Sequence, residues 1–269
     1  MKILVGSPIR QKPQILREFL SSLLNLEQKN YNLTFFFIDD NDQMPSKEIL
    51  KQFAADRKDR CIHQLPHQAA ASAYVCNSTT HHWKDAIIWK VASYKDEIIK
   101  YARAQDFDYL FLIDSDLVLH PRTIDQLMAA KKEIISNIYW TQWTPDQIPL
   151  PQVWVSDHYT LFEHEIQEQL SNAEIAKRQR EFLDRLKKPG IYEVGGLGAC
   201  TLISRSALQK EISFKRIKNL TFWGEDRHFC IRAAALGLSL FVDTHYPAYH
   251  IYRDSDLSGV EEFKKKYEA

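Results

Sequence analysis

The chain has 269 residues, 45% hydrophobic and 12% aromatic, enough for a sizeable core in one large domain or two closely packed halves. Its 35 basic and 35 acidic side chains cancel and the pI lies near 7.1, which leaves no electrostatic footprint for nucleic acid or an anionic membrane. No apolar run approaches the roughly 18 residues of a membrane span. The first residues carry too short an apolar run for a signal peptide, and four scattered cysteines without a C-x-x-C pair read as reduced thiols. A soluble cytoplasmic protein is the expectation.

Lys2 to Val5 reads as a first strand and Gly6-Ser7-Pro8-Ile9-Arg10 as a loop. Pro13 suits the first turn of a helix whose apolar positions Ile15, Leu16, Phe19, Leu20, Leu23 and Leu24 recur at helical spacing. Leu33 to Ile38 is a second apolar run, ending in Asp39-Asp40-Asn41-Asp42. Strand, helix, strand implies a right-handed βαβ unit and a parallel sheet. The first loop has neither G-x-G-x-x-G nor G-x-x-x-x-G-K-[ST], which argues against a dinucleotide fingerprint and a P-loop. Asp39 and Asp40 stand where carboxylates accept from a nucleobase N–H or a ribose hydroxyl, or cap the next helix.

Ser46 to Ala55 reads as a helix, and Arg57 to Leu65 as a turn with a short strand. Residues 68–82 are rich in Ala, Ser, Thr and Asn and read as a mobile loop. Its last two residues, His81 and His82, would face opposite sides of a strand, so the ordinary surface reading outweighs a metal pair. Trp83 to Ala104 has a helical pattern, with Lys90 and Lys95 either reaching a diphosphate or simply solvated.

The chain is organised around Asp108 to Asp116. Tyr109 to Ile113 is a short apolar run bounded by charge, the mark of a strand buried on both faces. Asp114 and Asp116 stand where that strand emerges, and open α/β sheets bind ligands at the carboxyl ends of their strands. Such a pair suits one hard cation shared with phosphate oxygens; turn capping is the plain alternative. A helix opening at Pro121 or Thr123 and ending near Lys132 follows, then a strand from Ile134 to Trp140 and a proline-bearing midline. Trp140, Trp143, Trp154, Tyr139 and Tyr159 crowd this region, as core packing more than as a sugar-stacking platform.

Glu163 to Leu186 reads as one charged amphipathic helix, ended by Pro189-Gly190. Glu193 to Cys200 holds Gly195, Gly196 and Gly198, which permit positive φ and close approach to backbone before a strand from Thr201 to Ile203. Trp223-Gly224-Glu225-Asp226 opens a helix that stops at Gly237; acids suit a first helical turn, but the Trp-Gly before them is less easily explained as capping. Leu238 to Val242 is a final strand with His245 and His250 beyond it, and Val260 to Tyr267 a short basic helix.

A strand ending in D-S-D, a Gly-Gly loop before a strand, W-G-E-D opening a helix and a late His resemble, in that order, the GT-A fold glycosyltransferases. The likeness is closest to the family-2-like group and relatives of the Anp1 mannosyltransferase type. It implies an α/β fold, a Rossmann-like α/β/α sandwich with a mostly parallel central sheet. It also implies one domain over 1–269, with a nucleotide-sugar half at 1–140 and an acceptor-binding, catalytic half at 141–269. The activity implied is inverting, hexosyltransferase-type transfer from a UDP- or GDP-sugar to a carbohydrate or other hydroxyl acceptor. Mn²⁺ or Mg²⁺ would bridge the D-x-D and the diphosphate.

By the same resemblance Asp114, Asp116 and His250 hold the metal, with His245 as rival, and Asp226 is the general base beside Glu225. Ser7, Pro8, Arg10, Asp39, Asp40, Lys95, Asp114, Ser115 and the Gly196 loop fall on the nucleotide-sugar side, and Trp223, Gly224 and Glu225 on the acceptor side. Residues 68–82 and 163–186 have no counterpart in it. Two readings compete: a metal-dependent phosphohydrolase or nucleotidyltransferase built on Asp114, Asp116 and Asp226, and a non-catalytic nucleotide- or sugar-binding module. A nucleotidyltransferase wants a glycine-rich first loop, and Gly6 to Lys12 has one Gly.

Overall fold

The apolar runs become strands of one sheet in a computed structural model that describes residues 1–66, 75–76, 81–82, 85–156 and 159–268. The first half comprises β1 (Lys2–Ile9), α1 (Pro13–Leu24), β2 (Asn32–Asp39), α2 (Met44–Ala55), β3 (Cys61–Gln64), the short pair β4 (Val75–Cys76) and β5 (His81–His82), α3 (Asp85–Ala104) and β6 (Tyr109–Leu112). There follow β7 (Leu117–Val118), α4 (Thr123–Ala129), β8 (Ile134–Thr141), β9 (Leu150–Pro151), β10 (Val153–Trp154), α5 (Asn172–Leu186) and β11 (Ile191–Val194). The chain closes with β12 (Gly196–Leu197), β13 (Thr201–Ser204), α6 (Arg205–Leu208), α7 (Glu225–Ala235), β14 (Leu240–His250), a 3-10 turn at Asp254–Gly259 and α8 (Val260–Glu268). Among the described residues no helix is long and apolar enough to cross a membrane.

Across the sheet the order is β11-β14-β8-β13-β6-β1-β2-β3. β3, β2, β1 and β6 are parallel neighbours, as are β8 and β14. β13 runs antiparallel between β6 and β8, and β11 antiparallel to β14. The sheet is therefore mostly parallel, and helices cover both faces. Strand alternation sends successive side chains to opposite faces: Leu110 and Leu112 pack with Ile98 of α3 and Phe229 of α7, whereas Phe111 and Ile113 pack with Phe19 of α1 and Leu127 of α4. β6 is buried on both sides, as its unbroken apolar run requires.

Three elements depart from the sequence reading. β1 continues through Ser7 and Pro8 to Ile9 instead of looping out after Val5. Pro8 is tolerated because β6 leaves the ladder after Gly6–Leu112, so no bond on that side needs its missing N–H. The stretch from 163 to 186 is not one helix: Gln167 takes a left-handed φ of 73°, and the Ser171 hydroxyl accepts from Glu174 N to start the helix at Asn172. β14 does not end at Val242 but runs on to His250, shifting register against β8 between Asp243 and Ala248. Of the aromatic cluster, Tyr139 and Trp154 are buried while Trp143 and Tyr159 are exposed. Most of the 68–82 stretch, and the side chains of His81 and His82, lie outside the described residues.

Candidate active site

The D-S-D turn is fixed from two sides. Ile113 N donates to Gly6 O at 3.1 Å, seating Asp114 at the carboxyl end of β6 beside β1, and Ile251 N donates to Asp116 O at 2.9 Å. Immediately after the turn β7 pairs antiparallel with the end of β14, placing Leu117 opposite His250. That pairing brings His250 Nε2 to 3.5 Å from Asp116 Oδ2. Thr141 Oγ1 stands 2.9 Å from His250 Nδ1, so the other ring nitrogen faces the carboxylate. His245 is engaged elsewhere: its Nδ1 lies 3.0 Å from Asp243 Oδ2 and 3.1 Å from Gln126 Nε2 of α4. His250, not His245, meets the D-x-D.

The second group of acids comes from α7. Gly224 precedes the helix with φ of 95°, a conformation side-chain-bearing residues rarely adopt, and the chain enters its first turn with Glu225 and Asp226. Between them sits Lys95 of α3, only 3% exposed, with Nζ 2.9 Å from Glu225 Oε1 and 2.9 Å from Asp226 Oδ1. The structure thus places Lys95 on the two α7 carboxylates, its ammonium 4.9 Å from the Phe214 ring centroid. Asp226 Oδ2 points the other way, toward Gly198. Asp114, Asp226, Lys95, Pro8, Gly198 and Thr201 line one narrow cleft whose free space, about 10 Å³, is on the order of a single water molecule.

Burial dominates the electrostatics here. It pushes the Asp226 carboxyl up to about 7, with Glu225 and Asp114 adding to the effect and Lys95 opposing it. Asp114 is pushed up to about 6, again chiefly by burial, with Asp116 and Glu225 adding while Lys95 and His250 oppose. Burial works against the Lys95 charge, but Asp226, Glu225 and Asp114 outweigh it and hold the ammonium well above its ordinary value. Four carboxylates therefore share one buried lysine and one imidazole.

This donor set fits a divalent cation held jointly with a ligand. Among the described residues no three His, Cys, Asp or Glu side chains converge into a closed metal cage. Asp116 and His250 instead offer one oxygen and one nitrogen at a separation that two ligands of one ion can have. Any further ligands would have to come from outside these side chains.

Asp39 and Asp40 end β2 at the neighbouring strand. Asp39 is buried; although burial opposes it, hydrogen bonds from His63 Nε2 (2.9 Å) and Asn41 Nδ2 (2.7 Å) hold its carboxyl below the usual range. Asp40 binds Lys90 Nζ through both oxygens at 2.7 Å, with Arg10 Nη1 4.0 Å from Oδ2 and Arg10 Nη2 2.8 Å from Asp42. Ser7 and Ser115 are buried, Ser7 with its hydroxyl 3.4 Å from Pro8 O. Trp223 is half exposed beside α7. Gly196 packs against the Trp154 indole so closely that a Cβ would overlap the ring, whereas a Cβ at Gly198 would make a tight contact, 3.3 Å from the Tyr139 hydroxyl, without overlap. Sequence reading did not single out His63 or Thr141, and it offered Lys90 for a diphosphate or for solvent, not for Asp40. Lys90 and His63 carry no motif, and their partners are far away in the chain.

Residues 1–143 match the family model described as glycosyltransferase family 25, N-terminal domain. The chain belongs to this family. The match covers more than half of its length and includes β1, β2 and the D-x-D strand. No curated protein matches. Among solved structures, S. aureus TarS 1–349 superposes with a TM-score of 0.50 at 14% identity, over 92% of this chain and 60% of that one. The same protein in complex with UDP-GlcNAc superposes at 0.50 and 13% identity, over 92% and 58%. This family-25 chain therefore spans about 60% of those chains, and at this identity the likeness shows the fold. It agrees with the GT-A architecture; the Anp1-type group finds no support in these matches.

Proposed function

We propose that this domain transfers a hexose from a nucleoside diphosphate sugar to an acceptor hydroxyl with inversion, with Asp226 as the general base. The placement of Asp226 carries the reading: Oδ1 is tied to Lys95, and Oδ2 faces the Gly198 side of the cleft that Asp114 also lines. A carboxyl raised to about 7 is matched to proton transfer near neutrality. As the acceptor oxygen bonds to the anomeric carbon, Asp226 takes its proton and the bond to the phosphate oxygen breaks. A positioned base of this kind contributes about 10²–10⁴-fold.

The leaving diphosphate belongs at the strand ends of the first half, residues 1–140, with Asp39, Asp40 and Arg10 on the nucleoside side and Ser7, Pro8 and Ser115 shaping the floor. Mn²⁺ or Mg²⁺ held by Asp116 and His250, with Asp114 behind them, would neutralise the charge developing on that diphosphate. The second half, 141–269, supplies the base and, through Trp223 and Gly224, the acceptor side. A UDP-sugar is the first donor to test because the structural neighbour TarS has been captured with UDP-GlcNAc; a GDP-sugar is the second. The acceptor is a carbohydrate or another hydroxyl compound. We place the activity in the cytoplasm, in keeping with the free thiols Cys61, Cys200 and Cys230.

Thermal unfolding with UDP or GDP, each with and without Mn²⁺, tests this directly. A ligand at about 100 times its dissociation constant adds roughly 2.7 kcal/mol. A Mn²⁺-dependent shift with one diphosphate, abolished by Asp116→Ala, is expected. No shift with either nucleotide refutes the transferase reading.

A further inference from the structure

Past its register shift β14 runs parallel beside β8 again, with Ala248 opposite Tyr139. Two residues on, Thr141 and His250 end their strands at one level and on one face. The Thr141 hydroxyl, on a residue only 1% exposed, lies 2.9 Å from His250 Nδ1. Gln152 Nε2 donates to the same hydroxyl at 2.9 Å. Gln152 reaches it because β9 folds back along the end of β8, pairing Leu150 with Thr141. Its backbone is then pinned at both ends: N donates to Tyr139 O at 3.2 Å, and O accepts from Gly198 N at 3.0 Å. The His250 ring packs against Tyr139 and Tyr252, at 5.2 and 5.5 Å between centroids. With backbone and ring fixed, what stays free to change is the Gln152 amide, the Thr141 hydroxyl proton and the imidazole proton.

A hydroxyl has one proton to give, so the row Gln152–Thr141–His250 has two complete arrangements. With the amide nitrogen donating to Oγ1, as here, the Thr141 proton goes to Nδ1, and Nε2 carries the imidazole proton toward Asp116 Oδ2, 3.5 Å away. With the amide turned over, its oxygen accepts the Thr141 proton and Oγ1 accepts from Nδ1–H. Nε2 then presents a lone pair beside Asp116. Were Oγ1 to accept from both neighbours, its own proton would stay buried without an acceptor. The row makes two hydrogen bonds either way and the ring stays neutral, but only a lone pair on Nε2 can ligate a cation. We propose that Thr141 is a positioning residue of the cation site: with Gln152 it sets which His250 nitrogen carries the proton, and the amide turns over as the cation binds. This rests on the transferase reading above, which supplies the cation. Partners behind a metal-ligating imidazole fix its tautomer and orientation in just this way.

Mn²⁺ affinity, read from the electron paramagnetic resonance of free Mn²⁺ with UDP or GDP present, separates this role from packing. Thr141→Val keeps the volume and removes the hydroxyl; it should bind Mn²⁺ about 10–100-fold more weakly than the wild type. Thr141→Ser, which keeps the hydroxyl, should bind it as the wild type does. Nitrogen-15 resonances of the His250 ring in the wild-type chain read the tautomer itself, with diamagnetic Mg²⁺ in place of Mn²⁺ and the same nucleotide. The proton should sit on Nε2 without Mg²⁺ and on Nδ1 with it. This second measurement needs no variant, so it decides the matter even where Thr141→Val does not fold. Equal Mn²⁺ affinity in Thr141→Val and the wild type, a loss that Thr141→Ser does not restore, or a ring proton that keeps its place when Mg²⁺ binds overturns the inference and leaves the transferase reading intact. A wild-type chain that binds no Mn²⁺ with either nucleotide overturns the cation in that reading and this inference with it.

Discussion

Replacing Lys95 with Met removes the lysine that, among the described residues, holds both Glu225 and Asp226, and leaves the volume nearly unchanged. Lys95 is 3% exposed and sits 2.9 Å from an oxygen of each acid, whose side chains are 14% and 27% exposed. Breaking a buried ion pair by deleting one partner costs about 3–5 kcal/mol, because the remaining charge is stranded. At roughly 2 °C per kcal/mol for a chain of this size, the midpoint should fall by about 6–10 °C near pH 8. The loss is pH-dependent with a defined sign. Burial raises Asp226 to about 7 and Asp114 to about 6 from an unfolded value of 3.8. Between those limits the folded chain holds more protons than the unfolded one, so these acids contribute less stability as pH rises. Lys95 opposes that decline by lowering both values; without it they climb further and the penalty grows with pH. The variant's deficit should therefore be largest near pH 8 and shrink toward pH 5, where the stranded carboxyls take up protons. Urea unfolding of both chains at the two pH values measures it. A loss under about 1 kcal/mol, or an equal loss at both pH values, refutes the reasoning.

Asp226→Asn should lower kcat by about 10²–10⁴-fold while leaving the nucleotide-induced thermal shift unchanged; steady-state kinetics beside thermal unfolding tests the pair, and retained turnover removes Asp226 from the base role. Gly196→Ala should cost about 1–3 kcal/mol through its clash with Trp154, with Gly198→Ala well below that, as chemical denaturation will show. Gly224→Ala, at φ of 95° and with Cβ 2.5 Å from the Tyr159 hydroxyl, should lose about 1–3 kcal/mol and disturb the entry to α7, seen as a lower midpoint together with reduced kcat.

Local pattern was enough to find β2, β6 and β8, the helices α1, α2, α3 and α7, and the D-S-D and W-G-E-D islands at the ends of their elements. The reason is that alternation, helical spacing and glycine or proline punctuation record burial and backbone conformation residue by residue. The same local logic overran at 163–186, where a charged stretch mimics helix across the left-handed turn at Gln167, and it stopped short at Val242, where β14 continues. What the pattern could not contain was which distant ends meet. Lys95 lies 130 and 131 residues from Glu225 and Asp226. His250 prevails over His245 only because β7 pairs with the last residues of β14, and Gly196 and Gly198 differ in whether a Cβ would overlap the Trp154 ring or stand 3.3 Å from the Tyr139 hydroxyl. Strand order and register decide those meetings, and each depends on the packing of the whole sheet, which no window of sequence carries.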